Sequence, residues 1–279
     1  MRAARPIVLA ILLAVPSLSL AGFVADLQAG AAYDDDVDRA EREADRRGAA
    51  SLDFAGSAGE RFVIGRGGSL ALIGTIESAE FSDLDGLDRW APGASVSYRQ
   101  KTRLGARAPW VQVSGSAAFQ DYRDGNRKGW IYETKVRYGW AAGERLSFVA
   151  GGAWLLRSAA ESVFDRHALD FSLRADISLR EDLSFYAAYQ VSRGDVTSSS
   201  RPDLAVLSVA KERAPDPVFG SAFIVYRIEA TSHDLLVGIN YALGRHASLD
   251  LAWEGLLAEA AGGIEYGVNQ FRGSFLYRF

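Results

Sequence analysis

Cysteine is absent from all 279 residues, so no disulfide can brace this chain, and the position after a leader ending near residue 21 lacks the cysteine a lipoprotein carries. Long apolar runs are missing too. The one extended hydrophobic stretch, "RPIVLAILLAVPSLSLA", falls short of the roughly 20 residues a spanning helix needs, and this excludes a polytopic helical membrane protein. A basic excess is also lacking. The formal charge is −4, and removing Arg2 and Arg5 with a leader takes it to −6, which argues against a nucleic-acid partner. Histidine occurs three times, few for a hydrolase but enough for one.

The first residues combine a basic start, an apolar centre and the small-x-small pattern Ser19-Leu20-Ala21, so residues 1–21 are expected to be a cleaved signal peptide. Residues 22–279 are expected to form one domain. Beyond the leader the dominant signal is a period of two. In "WIYETKVRYGW", Trp130, Tyr132, Val136, Tyr138 and Trp140 share one face, and Glu133, Lys135 and Arg137 the other. Aromatics opposite a charged row suit a strand with one side in oil and the other in water, not a strand buried in a soluble core. Twelve such segments are predicted: 23–33, 49–64, 70–81, 90–100, 110–121, 130–140, 146–157, 167–179, 183–193, 222–241, 247–258 and 265–279. Short connections such as 65–69 and 141–145 alternate with longer ones at 34–48, 82–89, 122–129, 158–166, 194–221 and 259–264.

The chain ends on "FRGSFLYRF", in which Phe271, Phe275, Tyr277 and Phe279 share one parity. This resembles the C-terminal strand of Gram-negative outer-membrane β-barrels. The resemblance implies an all-β fold: a closed antiparallel transmembrane barrel of about 12 strands, with 10 or 14 as alternatives, short periplasmic turns and longer extracellular loops. It implies that Phe275, Tyr277 and Phe279 form the signal read by the barrel assembly machinery, and that the surroundings are outer-membrane lipid and lipopolysaccharide. Trp110, Trp130, Trp140 and Trp154 are expected in the aromatic girdles.

The polar row of each strand would then line the lumen. The expected residues are Asp53, Arg61, Glu77 and Arg99 in the first third; Gln112, Glu133, Lys135 and Arg137 next; Asp170, Arg174, Asp176 and Gln190 after these; and Asp250, Glu254, Gln270 and Arg272 towards the end. Both signs are interspersed, which suits either a narrow channel for small hydrophilic solutes or a lumen closed by ion pairs, as in an accessory barrel for surface export or envelope assembly. The apolar content of 194–221 suggests a plug, a constriction or an outer docking surface.

Candidates for chemistry are sparse, and the chain is expected not to be an enzyme. Asp34, Asp36 and Asp38 have the spacing of a calcium loop, but Arg39 stands where that loop needs glycine and Asp45 where it needs glutamate. His233-Asp234 with Asp83, Asp85 and Asp88 invites comparison with omptin proteases, and "HAS" at 246–248 with lipid A deacylases, so a rim hydrolase is the third reading. No cofactor and no metal are expected.

Overall fold

In the computed structural model, residues 22–279 are described; the leader expected at 1–21 lies outside them. Twelve strands close into an antiparallel barrel: β1 (Phe23–Asp34), β2 (Ala49–Ile64), β3 (Gly68–Phe81), β4 (Arg89–Lys101), β5 (Trp110–Tyr122), β6 (Gly129–Ala141), β7 (Leu146–Ala159), β8 (Arg166–Ser178), β9 (Leu183–Ser200), β11 (Ile224–Ala242), β12 (Ala247–Ala260) and β13 (Ile264–Arg278). Helix α1 (Leu204–Val209) and a four-residue strand, β10 (Glu212–Pro215), lie between β9 and β11. The seam is the β1–β13 ladder, running from Asp26 opposite Arg278 to Asp34 opposite Gln270, and Phe279 N donates to Ala25 O at 3.0 Å. With the seam paired, the barrel has no free edge, the condition a sheet must meet to lie in hydrocarbon.

Alternation sorts the side chains. Leu52, Phe171 and Leu251 are about three-fifths exposed or more on the outside, at 66%, 60% and 62%. Trp130 and Trp154 point outward as well, and Tyr138, Trp140 and Phe148 form a continuous stack on the outer wall. Trp110 does not join them. It shares the parity of Gln112 and faces inward, against the girdle expectation, because its ring fills the space beside Gly139, where a Cβ would come within 2.2 Å of the indole. The guanidinium of Arg99 covers that ring at 3.8 Å.

The rims differ as expected. One carries tight turns, such as that closed by Gly65 and Gly67 at φ +59° and +80°, values that favour glycine. On the other rim, single 3-10 turns at Asp85–Leu87, Gly125–Arg127 and Ser162–Phe164 stand on the loops and are stitched sideways: Arg123 N donates to Asp88 O, and Ala160 N to Lys128 O.

The longest connection was expected to start at 194, yet β9 continues to Ser200, paired with the extended start of β11 from Ser200–Ile224 down through Gly194–Ala230. This polar, serine-rich stretch holds its ladder because other loops cover it, leaving Ser198, Ser199 and Ser200 buried. The true loop is 201–223.

An outward charge at mid-strand should expose the membrane contact. Phe171→Arg is expected to cost about 2–4 kcal/mol of unfolding free energy in lipid vesicles, and its inward neighbour Ser172→Arg clearly less. Equal losses in urea titrations would contradict this orientation.

Candidate functional site: the lumen and its mouth

All sixteen polar positions named from the sequence lie on inward-facing parities of their strands, opposite exposed apolar partners. Seven of them, Asp53, Glu133, Asp170, Gln190, Glu254, Gln270 and Arg272, border an upper cavity of about 800 Å³; Glu77 borders a lower one of about 520 Å³ near the short-turn rim. Several are bound to one another. Lys135 reaches Glu133 at 3.0 Å, Arg174 reaches Asp176 at 2.7 Å, and Arg272 reaches Glu254 at 3.1 Å. Asp250 accepts from the Tyr186 hydroxyl at 2.8 Å, and Asp170 accepts from the Ser192 hydroxyl. Tyr186 itself lies beside Gly238 with Arg174 over its ring at 4.2 Å, repeating the arrangement of Gly139, Trp110 and Arg99.

Sequence reasoning passed over Arg89, Arg157 and Arg166, which sit at the loop ends of their strands, and Arg127 in the upper cavity, and it weighed Arg39 and Asp234 there only for other roles. Extending each strand's parity by one or two residues past its expected end would have found Arg89 and Arg166.

Above this cavity, 201–223 crosses the mouth. Val206 of α1 packs on the inward residues Tyr226, Ile228 and Ile264 on one side. Phe219 and Phe223 pack with Leu84, Leu87 and Ala49 on the far side, where β2, β3 and the following loop stand. In the twelve-strand circle the β9–β11 junction lies opposite β3–β4, so the segment spans the full mouth. Of the alternatives the sequence left open, the structure shows a cap folded into the outer mouth.

Its fastening is polar and buried. Asp216, 1% exposed, accepts from Arg127 at 2.6 Å and from the Ser199 hydroxyl at 2.6 Å, while Arg127 also covers the Phe164 ring at 4.3 Å. The 35–48 loop holds the cap's start: Asp38 O accepts from Ser199 N, Arg39 O from the Ser198 hydroxyl, and the pairs Arg42–Asp203 and Asp45–Arg201 close at 2.5 and 3.1 Å. Arg127 also has Asp124 at 3.3 Å, so it keeps a counter-charge if Asp216 is neutralised, and Arg42 and Arg201 make their pairs from the solvent side.

Inside that holding loop, the calcium-like spacing serves a different arrangement. Asp36 and Asp38, 0% and 2% exposed, are neighbours in this loop; Asp36 accepts from Ala40 N, and Asp38 from Arg47 N. Burial raises both carboxyls above their ordinary value, Asp38 to about 8, with the neighbouring Asp36 adding to the shift.

The candidates for hydrolysis come apart. His233 faces outward, its Nδ1 2.6 Å from the Tyr189 hydroxyl, whereas Asp234 faces the cavity from the other side of the strand. Asp85 and Asp88 are tied to Arg123 at 3.2 Å each. His246 bonds to Arg278 O at 2.8 Å, while Ser248 accepts from Asn240 at 3.3 Å. His167 accepts from the outward Trp154 indole at 2.7 Å.

No family model and no curated protein match this chain. Solved structures do. An outer membrane channel from Pseudomonas putida superposes with a TM-score of 0.60 at 10% identity, covering 92% of this chain and 96% of that one. The NanC porin covers 90% and 98% at 11% identity, with a TM-score of 0.49. The TM-score of 0.60 shows a shared fold and, at 10% identity, the fold alone: this chain has the architecture of an outer-membrane barrel.

A pH dependence follows for the holding loop. A carboxyl raised in the folded state stabilises fully below its ordinary 3.8, and that contribution is lost as pH rises through about 8. Amide exchange in 35–48 should therefore report an opening free energy that falls from pH 4 to 8, and Asp38→Asn should flatten the trend. An unflattened trend in that variant would assign the effect elsewhere.

Proposed function

We propose that this protein is a narrow outer-membrane channel for small hydrophilic solutes, gated from outside by the 201–223 cap. The observation that carries the reading is the lumen: a barrel whose inward face is charged along its length and encloses cavities in place of an apolar core. Charged groups on that wall replace part of a solute's hydration shell, which is how pores lower the cost of entry. The fold shared with a channel of TM-score 0.60 supports it. The chemistry of the rim does not favour a hydrolase, since His233 and Asp234 lie on opposite faces of β11 and His246 and Ser248 bond to different partners.

A second reading, an accessory barrel for surface export or envelope assembly with a plugged lumen, is favoured by the cap's attachment to loops all round the mouth. The two separate in planar bilayers. The wild-type protein should give small unitary currents with frequent closures, and Asp216→Asn, which unfastens the cap from Arg127, should raise the open fraction several-fold. Silence from both proteins would favour the plugged barrel.

Export through cleavage near residue 21, contact with lipopolysaccharide, and insertion by the barrel assembly machinery belong to the same reading. Phe275, Tyr277 and Phe279 face outward on the seam strand, where an insertion machine could grip them. Deleting Phe279 should reduce barrel yield in cells while leaving the conductance of refolded protein unchanged; normal yield would remove these residues from assembly.

A further inference from the structure

We infer that the lumen selects anionic solutes, bearing carboxylate or phosphate groups, through two arginine stations set one above the other. The inference rests on the channel reading and specifies what passes. The upper station is Arg89, Arg157 and Arg166 near the cap; the lower is Arg61, Arg99 and Arg137 towards the short-turn rim. In the upper station Arg89 and Arg157 share the Tyr122 ring and all three arginines border one cavity; in the lower, Arg99 and Arg137 flank Gln112 of β5.

Among the described residues, none of these six cations has a carboxylate within 4.0 Å, although charged groups abound nearby. The lumen carboxylates are differently placed. Glu133, Asp176 and Glu254 are in ion pairs, Asp53 accepts from the Ser51 hydroxyl at 3.0 Å, and Asp170 and Asp250 accept from hydroxyls. A hydroxyl donor leaves a carboxylate's charge in place, so Asp53, Asp170 and Asp250 remain negative together with Glu77 and Asp234, and Asp234 has Glu254 and Asp170 as well as Arg39 and Arg166 around it. The two stations are thus local clusters of unpaired positive charge on a wall of mixed sign.

The arginines are also held ready. Arg99 stands over the Trp110 ring at 3.8 Å, and Arg157 donates to Arg127 O at 2.7 Å and stands over Tyr122 at 5.2 Å, with Arg89 at 5.7 Å from the same ring. Contacts of this kind hold a guanidinium in place, and the Nε groups of Arg99, Arg137, Arg157 and Arg166, though buried, have no acceptor within the protein. A planar fork with free donors matches carboxylate and phosphate oxygens. On β7, Arg157 and the Gly151 that pairs with Arg137 are six residues apart, about 20 Å along the strand at ~3.3 Å per residue. Two separated stations let an anion bind and still leave, as conduction requires.

The test uses the folded full-length barrel. In a potassium chloride gradient the reversal potential should show chloride preferred over potassium, and citrate on the cap side should block the current. Arg157→Gln with Arg166→Gln should weaken citrate block at least tenfold, and Arg99→Gln with Arg137→Gln should reduce the chloride preference. Currents that are unselective or favour potassium, or citrate block unchanged in the upper variant, would overturn the proposal while leaving a channel. If the barrel carries no current, calorimetric titration with citrate decides: binding lost in the upper variant supports an anion site in a non-conducting barrel, and no binding to wild type refutes it. Heat-modified mobility on gels verifies that each variant is folded.

Discussion

Closure of the backbone ladder is the constraint on which everything else here depends. In hydrocarbon no water is available for an unpaired amide or carbonyl, so a sheet can remain only if its last strand returns to its first. The β1–β13 pairing does this with two strands of unlike composition, one rich in alanine and the other in aromatics. Once the ring is closed, inside and outside are defined for every residue, and a period of two in the sequence becomes a sorting of oil from water. The barrel needs no disulfide because the ladder runs all the way round.

That sorting explains why so much was legible in the sequence. Glu133, Lys135 and Arg137 against Tyr132, Val136 and Tyr138 can be satisfied in only one way, and the strand count followed from repeating the pattern. Trp110 shows where residue type misleads. An aromatic near a strand end suggests a girdle, but its parity with Gln112 placed it inside, and only the neighbouring Gly139 makes room for it. Parity outweighs side-chain preference when a missing Cβ offers space.

The mouth was less legible for a different reason. The pairs Asp216–Arg127, Arg42–Asp203 and Asp38–Ser199 join residues 89, 161 and 161 positions apart, and no local period encodes such contacts. The apolar content of the 201–223 segment signalled that it must pack on something. Which wall it would reach depended on the order of strands around the ring. The extension of β9 to Ser200 was hidden for a related reason: serines have little strand preference of their own, and these are ordered by the loops that cover them.

The pairing of Trp110 with Gly139 reaches further than packing. Arg99 takes its position from the indole, and the indole takes its position from an empty place on the next strand. The electrical character of the lower lumen is thus set partly by a residue with no side chain, two strands from the charge it governs. A methyl group there would move a cation without touching it, so this barrel could change its solute preference through substitutions that alter no charge at all.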